Sequence, residues 1–110
     1  MSTDRRPPIS GVTRVAAVIG SPVGHSLSPA LHNAAFAALG LDWVYVACEV
    51  APGRAAEAVA AMGAFGLGGL SVTMPHKAAV AALCDEVVGI ARLVGTVNAI
   101  RREPDGRLVG

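Results

Sequence analysis

The sequence predicts a single α/β domain: a mainly parallel, three-layer αβα sheet with a C-terminal hairpin. Three observations carry this. Val15 to Ile19 is an unbroken apolar run closed by Gly20, the form of a strand covered on both faces. Strand-like and helix-like segments then alternate along most of the chain, the pattern of a layered α/β fold. Near the end, Pro104-Asp105-Gly106 separates Val97 to Arg102 from Arg107 to Val109, which is a hairpin signal.

Each element has its local reason. Residues 1–13 hold Pro7, Pro8 and Gly11 and much of the early charge, and read as a flexible leader before a domain spanning 14–110. Ser28-Pro29 suits an N-cap followed by the first helical position. Leu31, Ala34, Ala35, Ala38 and Leu39 then recur at helical spacing until Gly40 stops the helix. Trp43 to Val50 is rich in β-branched and aromatic residues and predicts a second strand. Pro52 opens an Ala-rich helix to about Met62, and Gly66, Gly68 and Gly69 mark the next turn. Leu70 to Thr73 is a short third strand, a helix is expected from about His76, and a further one around Glu86 to Leu93.

Length and charge exclude several classes of function. A chain of 110 residues holds one core and no second folded unit. Nine Lys and Arg against eight Asp and Glu leave a formal charge of +1, with the cations scattered, so no nucleic acid partner is expected. The longest stretch free of both charged residues and histidine, Ala58 to Pro75, is broken by four glycines and a Ser-Val-Thr run, so no membrane span is expected. The first residues lack an apolar secretion segment, which makes the cytoplasm the expected location. Cys48 and Cys84 lie in apolar surroundings and read as reduced core residues. Neither forms a recognised metal-ligand spacing with His25, His32 or His76.

Ligands of open α/β sheets bind outside the carboxyl ends of the strands. Two polar clusters fall there: Gly20 to Pro29 after the first strand, and Ser71 to Lys77 at the third. Ser26 and Ser28 can present two hydroxyls to one anionic group, or serve simply as a turn residue and an N-cap. Lys77 sits in the expected first turn of a helix, against the macrodipole, a placement that suits proton transfer but is also open to an ordinary solvated lysine. His76 is its neighbour, and adjacent helical residues point in different directions. Asn98 opens the last strand region, where an amide can bond a polyol or cap a turn. Gly66-Leu67-Gly68-Gly69 enters a strand instead of leaving one for a helix and is rejected as a dinucleotide loop. Asp85-Glu86 are neighbours in sequence only.

Taken together, Gly-Ser-Pro-Val-Gly-His-Ser-Leu-Ser-Pro at 20–29, His32-Asn33, Val72-Thr73-Met74-Pro75-His76-Lys77 and Val94-Gly95-Thr96-Val97-Asn98 resemble the N-terminal, substrate-binding domain of shikimate dehydrogenases. The resemblance runs from about Val15 to Gly110 and rests on separated motifs in the right order. It implies an NADP-dependent oxidoreductase that reversibly reduces 3-dehydroshikimate to shikimate in aromatic amino-acid biosynthesis. By position, Ser26 and Ser28 match the groups on the substrate carboxylate. Thr73, Lys77 and Asn98 match contacts to the ring hydroxyls, Lys77 being the catalytic lysine. The resemblance also implies an aspartate paired with that lysine and a glycine-rich NADP-binding domain, and both lie beyond Gly110. The 110 residues alone are therefore expected to bind no dinucleotide, to have no turnover, and to hold shikimate weakly at best. Ala99 and Thr96 stand where the family more often has Thr and Ala, which bears on substrate orientation. A quinate/shikimate dehydrogenase and a non-catalytic hydroxy-acid-binding module are the competing readings. The expected partner is the small-molecule substrate, with pairing of two copies in a homodimer left open.

Overall fold

A computed structural model describes residues 4–88 and 99–110. Eight elements follow one another: β1 (Arg14–Gly20), α1 (Ser28–Leu39), β2 (Trp43–Glu49), α2 (Ala55–Phe65), β3 (Gly69–Val72), α3 (Lys77–Ala81), β4 (Ala99–Arg102) and β5 (Leu108–Val109). They form one mixed α/β structure on a five-stranded sheet of order β2-β1-β3-β4-β5. β1 pairs in parallel with β2 and β3, while β3–β4 and β4–β5 are antiparallel. The expected hairpin closes through Gly106, whose positive φ of 92° suits a residue without a Cβ.

β1 is buried from Ala16 to Gly20, as its unbroken apolar run requires. Its alternate residues enter two clusters. Ala17 and Ile19 pack with Val59 and Met62 of α2, Val80 of α3, Leu70, Val72 and Ile100. Ala16 and Val18 pack with Val23 and Tyr45, against Phe36 of α1 and Trp43. The period of two along a strand thus sends one face of the sheet to α2 and α3 and the other to α1.

Helix α1 has the expected span and ends at Gly40 in the left-handed region, φ 68°. The leucines of its periodic set do not face the sheet. Leu31 and Leu39 are 68% and 71% exposed, and Leu27 just before the helix is 73% exposed. The side turned to the sheet carries Pro29, Asn33, Phe36 and Ala37, all half-buried. The reason lies in β2, an outer strand that needs a hydrogen-bonding partner. Asn33 Oδ1 accepts the Tyr45 N–H at 2.9 Å, and its Nδ2 donates to the Tyr45 carbonyl at 2.8 Å.

Other expectations also shift. The N-cap of α1 is Leu27, not Ser28, and no side chain caps it. α2 begins at Ala55, three residues after Pro52, and runs to Phe65. Glu86, expected to start a helix, instead forms a parallel bridge with Val109, and the remainder of that stretch, from Gly89 to Leu93, lies outside the described residues, as does Asn98. Asp85 ties the same region together by accepting the Leu108 N–H at 2.7 Å. Cys48 is exposed rather than buried, because β2 is an outer strand whose faces are open from Val46 onward; Cys84 is half-buried. The segment read as a flexible leader makes defined contacts from Asp4 on. Arg5 donates its N–H to the Ala37 carbonyl at 2.9 Å, and Arg6 Nη1 reaches Asn33 Oδ1 at 3.2 Å.

Candidate functional site

The two polar clusters meet at the carboxyl ends of β1 and β3. Ser21 donates its N–H to the Met74 carbonyl at 3.1 Å, and Thr73 donates its own to the Ile19 carbonyl at 2.9 Å. Gly20 makes this approach possible, since a Cβ there would collide with the Thr73 methyl group. A third strand end joins the same corner: Val50 donates its N–H to the Gly20 carbonyl at 3.0 Å.

Beside this junction lies a cleft of about 350 Å³, lined by Ser26, Ser28, Ser71 and Thr73 over an apolar base that includes Val18 and Val23. Two loops distant in sequence thus supply hydroxyls to one cavity. Ser26 has a local task as well, its Oγ accepting the Ser28 N–H at 3.2 Å. That bond closes a turn in the loop just ahead of α1, whose N-cap has no side-chain hydrogen bond. Its second lone pair and its proton are not used by that bond.

Ser71 was not singled out from the sequence. It projects from β3 on the face opposite Leu70 and Val72, which belong to the α2 side of the sheet. Tyr45 Oη donates to its Oγ at 2.7 Å. Alternation along Leu70-Ser71-Val72-Thr73 puts Ser71 and Thr73 on one face, and that was the signal available in the sequence.

Lys77 is the first residue of α3, four positions beyond Thr73, and is half-buried. It is not among the residues that line the cleft. α3 has only five residues, so the dipole argument for this lysine loses most of its force. Its place is fixed instead by His76, which is 1% exposed and whose Nε2 donates to the Val50 carbonyl at 2.6 Å. His76 also donates its backbone N–H to the Thr73 carbonyl at 3.1 Å. The ring of His76 is therefore spent on the loop that follows β2, and Lys77, the next residue, leaves the chain in another direction. Among the described residues, no carboxylate is ion-paired with Lys77. Nor do any three His, Cys, Asp or Glu of the described residues gather into a group that could hold a metal ion. No helix among them is long and apolar enough to cross a membrane.

Gly66 to Gly69 leads into β3, with Gly66 in the left-handed region at φ 66° as the stop of α2. Gly68 is required by the Trp43 ring, which occupies the space a Cβ would need. These glycines are explained by packing and do not build a cradle for a diphosphate.

Comparison with known proteins identifies the family of the chain. The profile of the shikimate dehydrogenase substrate binding domain matches residues 18–100. The NADP(+) shikimate dehydrogenase of Citrifermentans bemidjiense is 53% identical over 102 residues, which are 93% of this chain and 35% of that protein. The shikimate 5-dehydrogenase of Listeria monocytogenes, solved with shikimate and NAD, superposes with a TM-score of 0.89 at 41% identity, covering 94% of this chain and 36% of that one. The 5-ketofructose reductase of a Gluconobacter species superposes with a TM-score of 0.87 at 29% identity over 92% of this chain and 36% of its own. The chain thus spans about a third of the length of the relatives it matches. With the profile match extending from β1 to β4, the chain belongs to the shikimate dehydrogenase substrate-binding domain family.

Proposed function

We propose that this chain is the substrate-holding part of an NADP-dependent shikimate dehydrogenase, which interconverts 3-dehydroshikimate and shikimate. The observation that carries the proposal is the convergence of Ser26, Ser28, Ser71 and Thr73 on one cleft beside the β1 and β3 ends. A cyclic hydroxy acid has a carboxylate and several ring hydroxyls to satisfy, and a cavity rich in hydroxyls over an apolar base matches both demands.

In this reading Ser26 and Ser28 donate to the carboxylate, and Thr73 with Asn98 bonds the ring hydroxyls. Lys77 lies against the ketone oxygen. Reduction of that ketone creates an alkoxide, to which the ammonium donates a hydrogen bond and then its proton; in the reverse direction the amine takes the proton back. In this reading NADP is held by another part of the enzyme, and this chain's own work is binding, orientation and proton transfer.

The same reading places α1 on one face of the sheet and α2 with α3 on the other, as a three-layer domain. It assigns the enzyme to the cytoplasm and to the supply of aromatic amino acids, and pairing of two copies into a homodimer is compatible with it.

The test is an amide-resonance titration of the ¹⁵N-labelled chain with shikimate and, separately, with quinate. Perturbations at Ser26, Ser28 and Thr73 with shikimate, weaker with quinate, are the expected result. Binding is expected to be weak, because a half-open cleft leaves water in contact with the hydroxyls. Perturbations elsewhere, or none at high shikimate concentration, overturn the proposal.

A further inference from the structure

The phenol of Tyr45 lies beneath the cleft without lining it. Tyr45 is 4% exposed, and its Oη is 2.7 Å from Ser71 Oγ. Its ring crosses from β2 towards β3 along a rung of the sheet where Ala16 and Gly69 are the residues on the neighbouring strands. The ring is also fixed from outside: His32 stacks on it with centroids 4.3 Å apart and planes 8° from parallel. Asn33 holds the Tyr45 backbone on both its N–H and its carbonyl.

The direction of the Tyr45–Ser71 bond follows from burial. A phenol proton shut away from water needs an acceptor, and Ser71 Oγ is the one within reach. Ser71, by contrast, is half-buried and faces the cleft. Once its oxygen accepts from Tyr45, its single proton is free to point into the cavity. We infer that Tyr45 is a positioning residue for substrate binding: it fixes the Ser71 hydroxyl as a hydrogen-bond donor aimed at an acceptor oxygen of the bound hydroxy acid. Rotation of Ser71 towards a donor role costs nothing at the moment of binding, because the buried phenol has already set it. This rests on the reading of the cleft as a shikimate site.

The experiment is a double-mutant cycle with shikimate as the probe, read by amide-resonance titration of the 110-residue chain and of its Tyr45→Phe, Ser71→Ala and doubly substituted forms. Tyr45→Phe is expected to weaken shikimate binding about three- to tenfold, the worth of one oriented hydrogen bond, and to add nothing once Ser71 is alanine. A purely structural role would give the same loss in both backgrounds, which overturns the inference, as does wild-type affinity in Tyr45→Phe. Neither of those results touches the proposed function. Failure of the unsubstituted chain to respond to shikimate sinks the proposed function and takes the inference with it. Should Tyr45→Phe not fold, a ¹³Cζ-tyrosine label decides. The Tyr45 signal is expected to move on adding shikimate to the unsubstituted chain and to stay still in Ser71→Ala; a signal indifferent to shikimate in the unsubstituted chain overturns the inference.

Discussion

Asn33 holds Tyr45 as a neighbouring strand would, accepting its N–H at 2.9 Å and donating to its carbonyl at 2.8 Å. A side chain from α1 therefore closes part of the open border of β2, and the helix is turned to allow it. Asn33→Ala leaves two partly buried backbone groups without that partner and is expected to cost about 1–3 kcal/mol of stability. Urea unfolding followed by circular dichroism checks this, and an unchanged midpoint would show that water replaces the amide without loss.

Gly20 is where the loops after β1 and β3 touch, and a Cβ there meets the Thr73 side chain. Gly20→Ala is expected to destabilise the chain by about 1–3 kcal/mol through overpacking and to weaken shikimate binding by displacing Thr73. Gly24→Ala is the control, since nothing lies within 4 Å of a Cβ at that position. Equal behaviour of the two variants would disprove the steric account.

The two thiols differ in environment. Cys48 is exposed on β2, whereas burial, and secondarily the charge of Asp85, pushes the Cys84 thiol above its ordinary value. The thiolate is the reactive form, so iodoacetamide at mildly alkaline pH is expected to alkylate Cys48 first and Cys84 only slowly. Peptide mass mapping over a time course reads the order; faster modification of Cys84 contradicts it.

Asp4 is held down from the ordinary 3.8 to about 2, first by the Arg6 side-chain hydrogen bonds and then by the Arg6 backbone N–H. A carboxylate lowered in the folded state adds stability above its unfolded value, and that contribution disappears as pH falls through the folded one. The loss is thus expected between about pH 4 and pH 2. Arg6→Gln should bring the Asp4 midpoint back towards 3.8, followed by carboxyl ¹³C titration. A midpoint unmoved by the substitution excludes the Arg6 side chain as the cause.

Much of this architecture was legible in the chain because its signals are local. The apolar run of β1, the stop at Gly40 and the Pro104-Asp105-Gly106 turn each depend on a few adjacent residues, and each appears where expected. The facing of α1 was not legible. Both sides of that helix are rich in apolar residues, so periodicity could not choose between them, and the choice fell to a polar residue with a tertiary task. Cys48 was misjudged for a related reason: apolar neighbours do not reveal that a strand lies at the border of its sheet. The hydroxyls of Ser26, Ser28 and Thr73 were recognised through their motifs, and the structure brings them to one cleft. Ser71 escaped notice because its partner, Tyr45, is 26 residues away and no local pattern joins them.

The sheet changes sense at β3, with parallel neighbours on one side and a short hairpin on the other. Assembly then has two tempos. The β4–β5 ribbon closes over a handful of residues and can form within about microseconds, whereas β1 must wait for β2 and β3 to return through their helices. Until they do, the five consecutive residues of β1 that the finished sheet buries remain unsheltered, and association between unfinished chains competes with folding in the interval before β3 arrives.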